Sequence, residues 1–195
     1  MNPYLLFCLV FLVLLLLVIY FDSKFDMLKD ISQAQKKPYS FAKVQLAWWT
    51  VIILGSLISI ILADHGFPCL GSSTLVLLGI SSGTSASARI IDLSNESNHI
   101  PRNQDEGTSN FFLDILSDEN GVSLHRFQAA IFNIVFGLWF IGYVWANFSN
   151  PLINSIIPVI DENNLILLGL SSGVYAAMKT TENKSTNAVL KTINQ

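Results

Sequence analysis

Two segments of the chain are near copies of each other: LVLLGISSGTSASAR at residues 75–89 and LILLGLSSGVYAAMK at residues 165–179. Eight of the fifteen aligned positions are identical, and both segments end in a basic residue. Upstream, YSFAKVQLA at 39–47 matches VSLHRFQAA at 122–130, with a serine, a basic residue and a glutamine in register. We therefore predict that one helical hairpin occurs twice, as parallel repeats related by an axis along a membrane normal.

The composition points to a membrane protein. Hydrophobic residues make up 51% of the 195 residues, charged residues make up 13%, and the mean hydropathy is +0.50. Soluble domains carry about 25% charged residues, so this chain has too few ionised groups to cover a water-facing surface. We expect the lipid bilayer to be its principal partner. The net charge of −3 gives no reason to expect direct binding of nucleic acid.

Five segments have the length or composition of membrane spans. Residues 4–20, 45–62 and 127–147 are strongly apolar, as a lipid-facing helix requires. Residues 72–88 and 164–178 are weaker in hydropathy and rich in Ser, Gly and Ala. Such a composition favours helices that pack against other helices, so we predict that the third and fifth spans lie in the interior.

The basic residues orient these spans. With the N-terminus outside, all 11 Lys and Arg residues fall on the cytoplasmic side, as the positive-inside rule requires. The predicted fold is an all-α integral membrane protein with five transmembrane helices, N-terminus outside and C-terminus inside. The predicted segments are an N-terminal helix with an amphipathic linker (1–38), repeat hairpin 1 (39–91), an acidic cytoplasmic loop (92–121), repeat hairpin 2 (122–180) and a cytoplasmic tail (181–195).

Small residues recur at helical spacing in the third and fifth spans, as GxxxG motifs with adjacent serines. Such a stripe lets two helix backbones approach closely, so we expect the two spans to cross there, within one chain or between subunits. The alternative is that the serine hydroxyls line a polar path. The residues concerned in either case are Gly79, Ser81, Ser82, Gly83, Gly169, Ser171, Ser172 and Gly173.

Polar residues mark the expected cytoplasmic ends of the spans. Four of them form what we call the basic collar: Lys43, Arg89, Arg126 and Lys179. We expect the collar to reach lipid phosphates, or alternatively to attract anions or an acidic partner. Gln45 and Gln128 lie one turn inside the membrane, where each amide needs a hydrogen-bond partner. Ser40 and Ser123 are predicted helix N-caps.

The remaining segments carry weaker expectations. Phe21, Phe25 and Leu28 have helical spacing and predict that the first helix continues along the membrane surface. Residues 111–121 predict a short amphipathic helix closed by a turn, and residues 148–163 predict an apolar loop lying on the outer surface. Tryptophans 48, 49 and 145 are expected at the membrane interfaces. One bridge between Cys8 and Cys69 is conceivable, although two cysteines form no disulfide framework.

The duplicated pattern resembles a group of uncharacterised bacterial inner-membrane proteins. The likeness rests on the paired SxxRxQ and LLGISSGT helix starts and on DILSDENGVSLHRFQ at 114–128, and it covers about residues 39–180. It implies a helical membrane fold and a bacterial inner-membrane location, and it implies no activity. The chain is also loosely similar to small membrane accessory proteins of bacterial antiviral systems.

The sequence contains none of the common catalytic or phosphate-binding motifs, so it predicts no enzyme, metal site or cofactor. We expect an oligomeric membrane-embedded scaffold or accessory subunit that receives a cytoplasmic protein partner, such as one of a defence or stress system. The alternative is an oligomeric pore or ion channel lined by the Ser/Gly-rich faces of the third and fifth helices.

Overall fold

A computed structural model describes residues 2–32, 36–63, 66–98, 110–118 and 121–181, and the chain is mostly helical. The elements in chain order are α1 (Pro3–Phe25), α2 (Phe41–Leu62), α3 (Ser72–Ser97), α4 (Phe111–Leu116), β1 (Ser117–Asp118), β2 (Gly121–Val122), α5 (Leu124–Asn147), a 3-10 helix (Ile153–Ser155) and α6 (Glu162–Thr181). Residues 99–109 and 119–120 of the predicted acidic loop, and the tail after Thr181, lie outside the described residues.

Within the described residues, four helices are long and apolar enough to cross a membrane: α1, α2, α3 and α5. Each contains one of the predicted spans, and α3 extends nine residues past the predicted boundary at residue 88. The predicted fifth span corresponds to α6, which has 20 residues and does not belong to this apolar group. The all-α class is therefore confirmed.

The two predicted hairpins lie side by side. Within each hairpin the helices are neighbours, α2 with α3 and α5 with α6, and between hairpins α2 contacts α5 while α3 contacts α6. Equivalent helices are thus adjacent and parallel, so the second hairpin stacks beside the first. Helix α1 packs on α2 outside this group of four helices.

The contact between α2 and α5 is built from tryptophan and asparagine. The indole nitrogen of Trp49 donates to Asn133 Oδ1 at 2.6 Å, and that of Trp48 donates to the Asn133 carbonyl oxygen at 3.0 Å. Trp49 is fully buried. The prediction that Trp48 and Trp49 anchor the protein at a membrane interface is therefore wrong, because their N–H groups are satisfied inside the bundle.

Helix α1 ends sooner than its apolar spacing predicts. Asp26 follows Phe25 with a φ of 54°, a left-handed conformation that stops the helix. The Asp22 carboxylate then accepts from the Leu28 amide at 2.9 Å. The first helix therefore continues past the predicted span through Phe21 and Phe25, but Leu28 lies beyond its end.

The segment after α5 is part of the core. Ile156 and Phe148 are fully buried, and Ile157 and Ile160 are nearly so. The Ile160 amide also donates to Ser73 Oγ at the start of α3, at 3.1 Å. The predicted surface loop at 148–163 is thus corrected in part: its buried side chains fill the space between helix ends, whereas Leu152 and Val159 are 69% and 81% exposed.

A small insertion lies between the hairpins. The helical part of the predicted 111–121 element ends at Leu116, and β1 then pairs with β2 in antiparallel register. Asp114 ties this insertion to the start of hairpin 1, because its Oδ2 accepts from the Tyr39 amide at 3.0 Å. The rings of Tyr39 and Phe111 also meet edge to face, 5.1 Å apart.

Ser40 and Ser123 occupy the predicted N-cap positions of α2 and α5, but neither side chain makes a capping hydrogen bond. The Ser123 hydroxyl lies 2.7 Å from His125 Nδ1 instead. The sequence therefore predicted the cap positions of both serines. The side-chain hydrogen bond that usually favours serine at a cap is absent.

Candidate functional site

A buried ionic cluster joins three segments at one end of the bundle, and we call it the Lys179 cluster. The Lys179 ammonium donates to Asp30 Oδ2 at 3.2 Å and to the Asp92 carboxylate at 3.0 Å. Lys179 is 3% exposed, and its two partners are 8% and 4% exposed. Charges so withdrawn from water are stable only when they are paired, so each member depends on the others.

Local structure brings each member to the cluster. Asp30 lies between α1 and α2, and its backbone amide donates to the Pro38 carbonyl at 2.8 Å. The Ser40 amide donates to the Leu28 carbonyl at 2.8 Å, so the linker folds back on itself as a short antiparallel strap. Asp92 and Lys179 lie in the last turns of α3 and α6, which run side by side.

The cluster holds two carboxylates and one ammonium. Burial raises the pKa of the Asp30 carboxyl, but the positive charge of Lys179 and the hydrogen bonds that Asp30 shares with Asp92 and Lys179 outweigh burial. The pKa of Asp30 therefore lies below its ordinary value of 3.8. Asp30 is held in its charged form. The ion pairs of Lys179 with Asp30 and Asp92 therefore hold the linker, α3 and α6 together.

A second polar contact crosses the bundle from α2 to α6. Gln45 Nε2 donates to Ser172 Oγ at 3.0 Å, and both residues are buried. The Gln45 side-chain oxygen has no hydrogen-bond partner among the described residues. The need for a neighbouring helix to satisfy this amide was predictable, but its repeat counterpart Gln128 is exposed.

The basic collar does not form one exposed ring. Lys179 is in the cluster, and Arg126 is buried with its guanidinium 5.4 Å from the Tyr175 ring centre. Lys43 is half-buried and donates to the Lys29 carbonyl oxygen, and Arg89 is exposed. Of the four, Arg89 is exposed and Lys43 is partly exposed, whereas Arg126 and Lys179 are buried.

The glycines of the small-residue stripes face outward on α3. A Cβ added at Gly79 or Gly83 would meet nothing within 4 Å, and the same is true of Gly173 on α6. At Gly169 the added Cβ would lie 3.6 Å from Ile80 Cδ1. The α3 motif therefore does not make the contact between α3 and α6 inside the chain.

The serines differ between the repeats. Ser81 and Ser171 are buried, and each hydroxyl donates to a carbonyl of its own helix, at 3.1 and 3.0 Å. Ser82 is exposed, whereas its counterpart Ser172 is buried against Gln45. The repeated residues thus have different environments. The first hairpin contacts the second through one face, and the second hairpin contacts the first through the opposite face.

Sequence reasoning missed Asp30 and Asp92. The basic residues were used to orient the spans, and acidic residues on the same side were left without a role. Asp92 belongs to the predicted acidic loop at 92–121, but α3 extends to Ser97 and carries Asp92 into the bundle three residues after Arg89. An acid on the buried side of such a helix needs a cation from a neighbour.

The described residues contain no group of three or more His, Cys, Asp or Glu side chains placed to hold a metal ion. Cys8 and Cys69 are both free and exposed. No protein-family model, curated protein or solved structure matches the chain.

Proposed function

We propose that the chain is a multi-pass protein of a bacterial inner membrane that works as a non-enzymatic, oligomeric scaffold for a cytoplasmic protein partner. In this proposal α1, α2, α3, α5 and α6 are five spans, with the N-terminus outside and the C-terminus inside. The Lys179 cluster then lies at the cytoplasmic end of the bundle.

The case for a fifth span rests on α6 running beside α3 over most of the length of α3. Near one end, Ser73 of α3 accepts from Ile160, just before α6 begins, and near the other end Asp92 accepts from Lys179. A membrane that α3 crosses is therefore crossed by α6 as well. The modest hydropathy of α6 is suited to an interior position, because packing against other helices replaces contact with lipid.

The observation that carries the oligomer proposal is the open face of α3. Gly79, Ser82 and Gly83 are exposed, and neither glycine has an atom within reach of an added Cβ. Association of helices in lipid relies on close backbone approach rather than on the hydrophobic effect. A face of glycine and serine that the chain itself leaves uncovered is therefore suited to a second copy.

The chain contains one example of the contact that we propose. Inside the monomer, the Ile80 side chain of α3 lies over Gly169 of α6. The repeat counterparts of this pair are Leu170, which is 63% exposed, and the open Gly79. An aliphatic side chain and a glycine surface are thus both free for contact between copies.

Gly83→Leu tests the oligomer. We expect the variant to insert and fold but to elute from a sizing column at the mass of a monomer. Gly142→Leu is the matched control, because Gly142 on α5 also has open space around it but is outside the stripe. Equal assembly of both variants would contradict the proposal.

Ion flux into liposomes separates the scaffold from the pore. Because the Ser81 and Ser171 hydroxyls are bonded within their own helices, we expect Ser81→Ala and Ser171→Ala to leave assembly and flux unchanged. The assembled wild-type protein should conduct no more than empty liposomes. A flux that Gly83→Leu abolishes and the serine variants alter would favour the channel.

The partner site is expected on the cytoplasmic insertion between the hairpins. Phe112 and Leu113 of α4 are 69% and 52% exposed, although they lie outside the apolar spans, and exposed apolar groups there are typical of binding surfaces. We expect the double variant Phe112→Ser, Leu113→Ser to remove cross-links to the partner in cells while leaving the protein inserted. Unchanged cross-links would rule out this segment as the docking surface.

A further inference from the structure

An apolar groove separates the second half of α1 from the first half of α2. It encloses about 490 Å³, which is within the range of small-molecule sites. Apolar side chains line both walls, with Leu17 and Phe21 among those of α1 and Leu46 and Val51 among those of α2. The hydroxyl of Thr50, which also lines it, donates to the Leu46 carbonyl at 2.7 Å. The Thr50 hydroxyl is therefore already hydrogen-bonded and needs no partner from a bound molecule.

One end of the groove carries a positive charge. Lys43 lines it there, and its ammonium donates to the Lys29 carbonyl oxygen. No carboxylate among the described residues lies within ion-pair distance of Lys43. The groove is thus apolar along its length and has the Lys43 cation at one end.

The dimensions of the groove match one leaflet of a membrane. Its α2 wall runs from Lys43 to Leu54, and the eleven steps between these residues rise about 16 Å in an α-helix. The hydrocarbon core of a bilayer is about 30 Å thick, so the groove extends over about half of it. Its charged end lies on the same side as the Lys179 cluster.

We propose that this groove binds one anionic phospholipid of the cytoplasmic leaflet, with an acyl chain between α1 and α2 and the headgroup phosphate at Lys43. The inference rests on the membrane orientation proposed above. It assigns a role to Lys43 that the other members of the basic collar do not share. The lipid would fill the space that keeps the two helices apart and so complete the packing of α1.

Native mass spectrometry of the purified protein tests the site. The protein is released from membranes in mild detergent and offered phosphatidylglycerol and phosphatidylcholine with identical acyl chains. We expect about one phosphatidylglycerol molecule to stay bound per chain. Lys43→Gln should lower its retention about fivefold, because one lysine near a membrane surface contributes on that scale, whereas the exposed Lys24→Gln should change nothing.

A filled groove provides the second variant. Ala47 lines the groove, and Ala47→Phe should abolish retention of either lipid. Ala146→Phe, at an exposed alanine of α5, controls for the added ring. Equal retention in all variants would overturn the site, and so would cross-linking that shows α1 of a second copy in the groove.

The outcome also distinguishes this inference from the proposed function. A chain that resists carbonate extraction from membranes yet retains no lipid overturns the lipid site and leaves the membrane placement intact. A chain that carbonate releases overturns both. Equal preference for the two lipids, unaffected by Lys43→Gln, overturns the role of the headgroup phosphate.

Discussion

Lys179 is the single residue whose substitution we expect to lower the free energy of unfolding most. We expect Lys179→Met to cost about 3–5 kcal/mol of unfolding free energy, because removing one partner leaves buried charge uncompensated. The measurement is the unfolding midpoint in detergent, followed by circular dichroism under increasing denaturant.

Arg89→Met is the matched control, since Arg89 is the repeat counterpart of Lys179 but is exposed. We expect its effect to stay within about 0.5 kcal/mol, as for most surface substitutions. Equal destabilisation by the two substitutions would show that the Lys179 cluster contributes nothing special to stability.

Asp30 predicts how stability depends on pH. The pKa of its carboxyl in the folded protein is held below the ordinary 3.8. Its contribution to stability is therefore complete above the unfolded-state pKa and is lost as the pH falls through the folded-state pKa. We expect the thermal midpoint to fall as the pH drops below about 4, and Asp30→Asn to show a shallower fall.

The comparison is made between wild type and Asp30→Asn at each pH. Identical slopes for the two proteins would show that other carboxyl groups dominate the acid response. Asp161→Asn, at an exposed residue just before α6, controls for the removal of a carboxyl group as such.

For single residues, the sequence predicted which side chains are polar and lie near span ends, but it did not predict which of them are buried. It identified Lys179, Arg89, Gln45 and Gln128 as polar groups at span ends, but treated repeat counterparts as equivalent. Burial separates them, because only one face of each hairpin meets the other hairpin. Identical motifs therefore cannot reveal which copy is covered.

Among the helices, α2 and α5 have the contact that is most sensitive to size. A Cβ added at Gly137 would overlap the Trp48 indole ring, which is itself bonded to Asn133. We expect Gly137→Ala to destabilise the fold by about 1–3 kcal/mol through overpacking. Thermal unfolding of the purified variant measures this cost.

Gly142→Ala, one and a half turns further along α5, serves as the control. Nothing lies within 4 Å of a Cβ added there, so alanine should stabilise the helix by about 0.5–1 kcal/mol. Opposite signs for the two substitutions are the expected result, and equal signs would contradict the described helix contact.

Hydropathy predicted the helices well because long apolar runs determine them. The α5 helix, at Leu124–Asn147, contains the predicted 127–147 span and shares its final residue. The end of α1 and the burial of 148–163 were not predictable by the same means. The first depends on the Asp22 side chain and a left-handed Asp26, and the second on which helix ends lie nearby.

For the whole molecule, the proposed orientation predicts which cysteines a membrane-impermeant maleimide reaches. Cys69 is exposed between α2 and α3, on the side that we place outside. We expect the Cys8→Ser variant to be labelled at Cys69 in intact spheroplasts. Gel-shift detection after labelling measures this accessibility.

A chain without native cysteines that carries Ser97→Cys tests the other face. Ser97 ends α3 and is exposed, and we expect labelling only after the membrane is made permeable. Labelling of both positions in intact spheroplasts, or the reverse pattern, would disprove the N-out, C-in orientation.

The arrangement of helices was only partly predictable. The repeat predicted two hairpins in parallel, and the structure places equivalent helices next to each other. Nothing in the repeat indicated that α1 would pack on α2 or that a linker acid would reach α6. Those contacts join residues far apart in the chain, and each is fixed by side chains outside the repeat.

The Lys179 cluster also has a consequence for the order in which the protein is made. Lys179 follows Asp30 by 149 residues and Asp92 by 87, and a ribosome delivers the N-terminal portion first. The two acidic residues are therefore synthesised before the ammonium that contacts both of them. The contacts that join the linker to the ends of α3 and α6 can form only after the last helix has been made, so this end of the bundle is completed last.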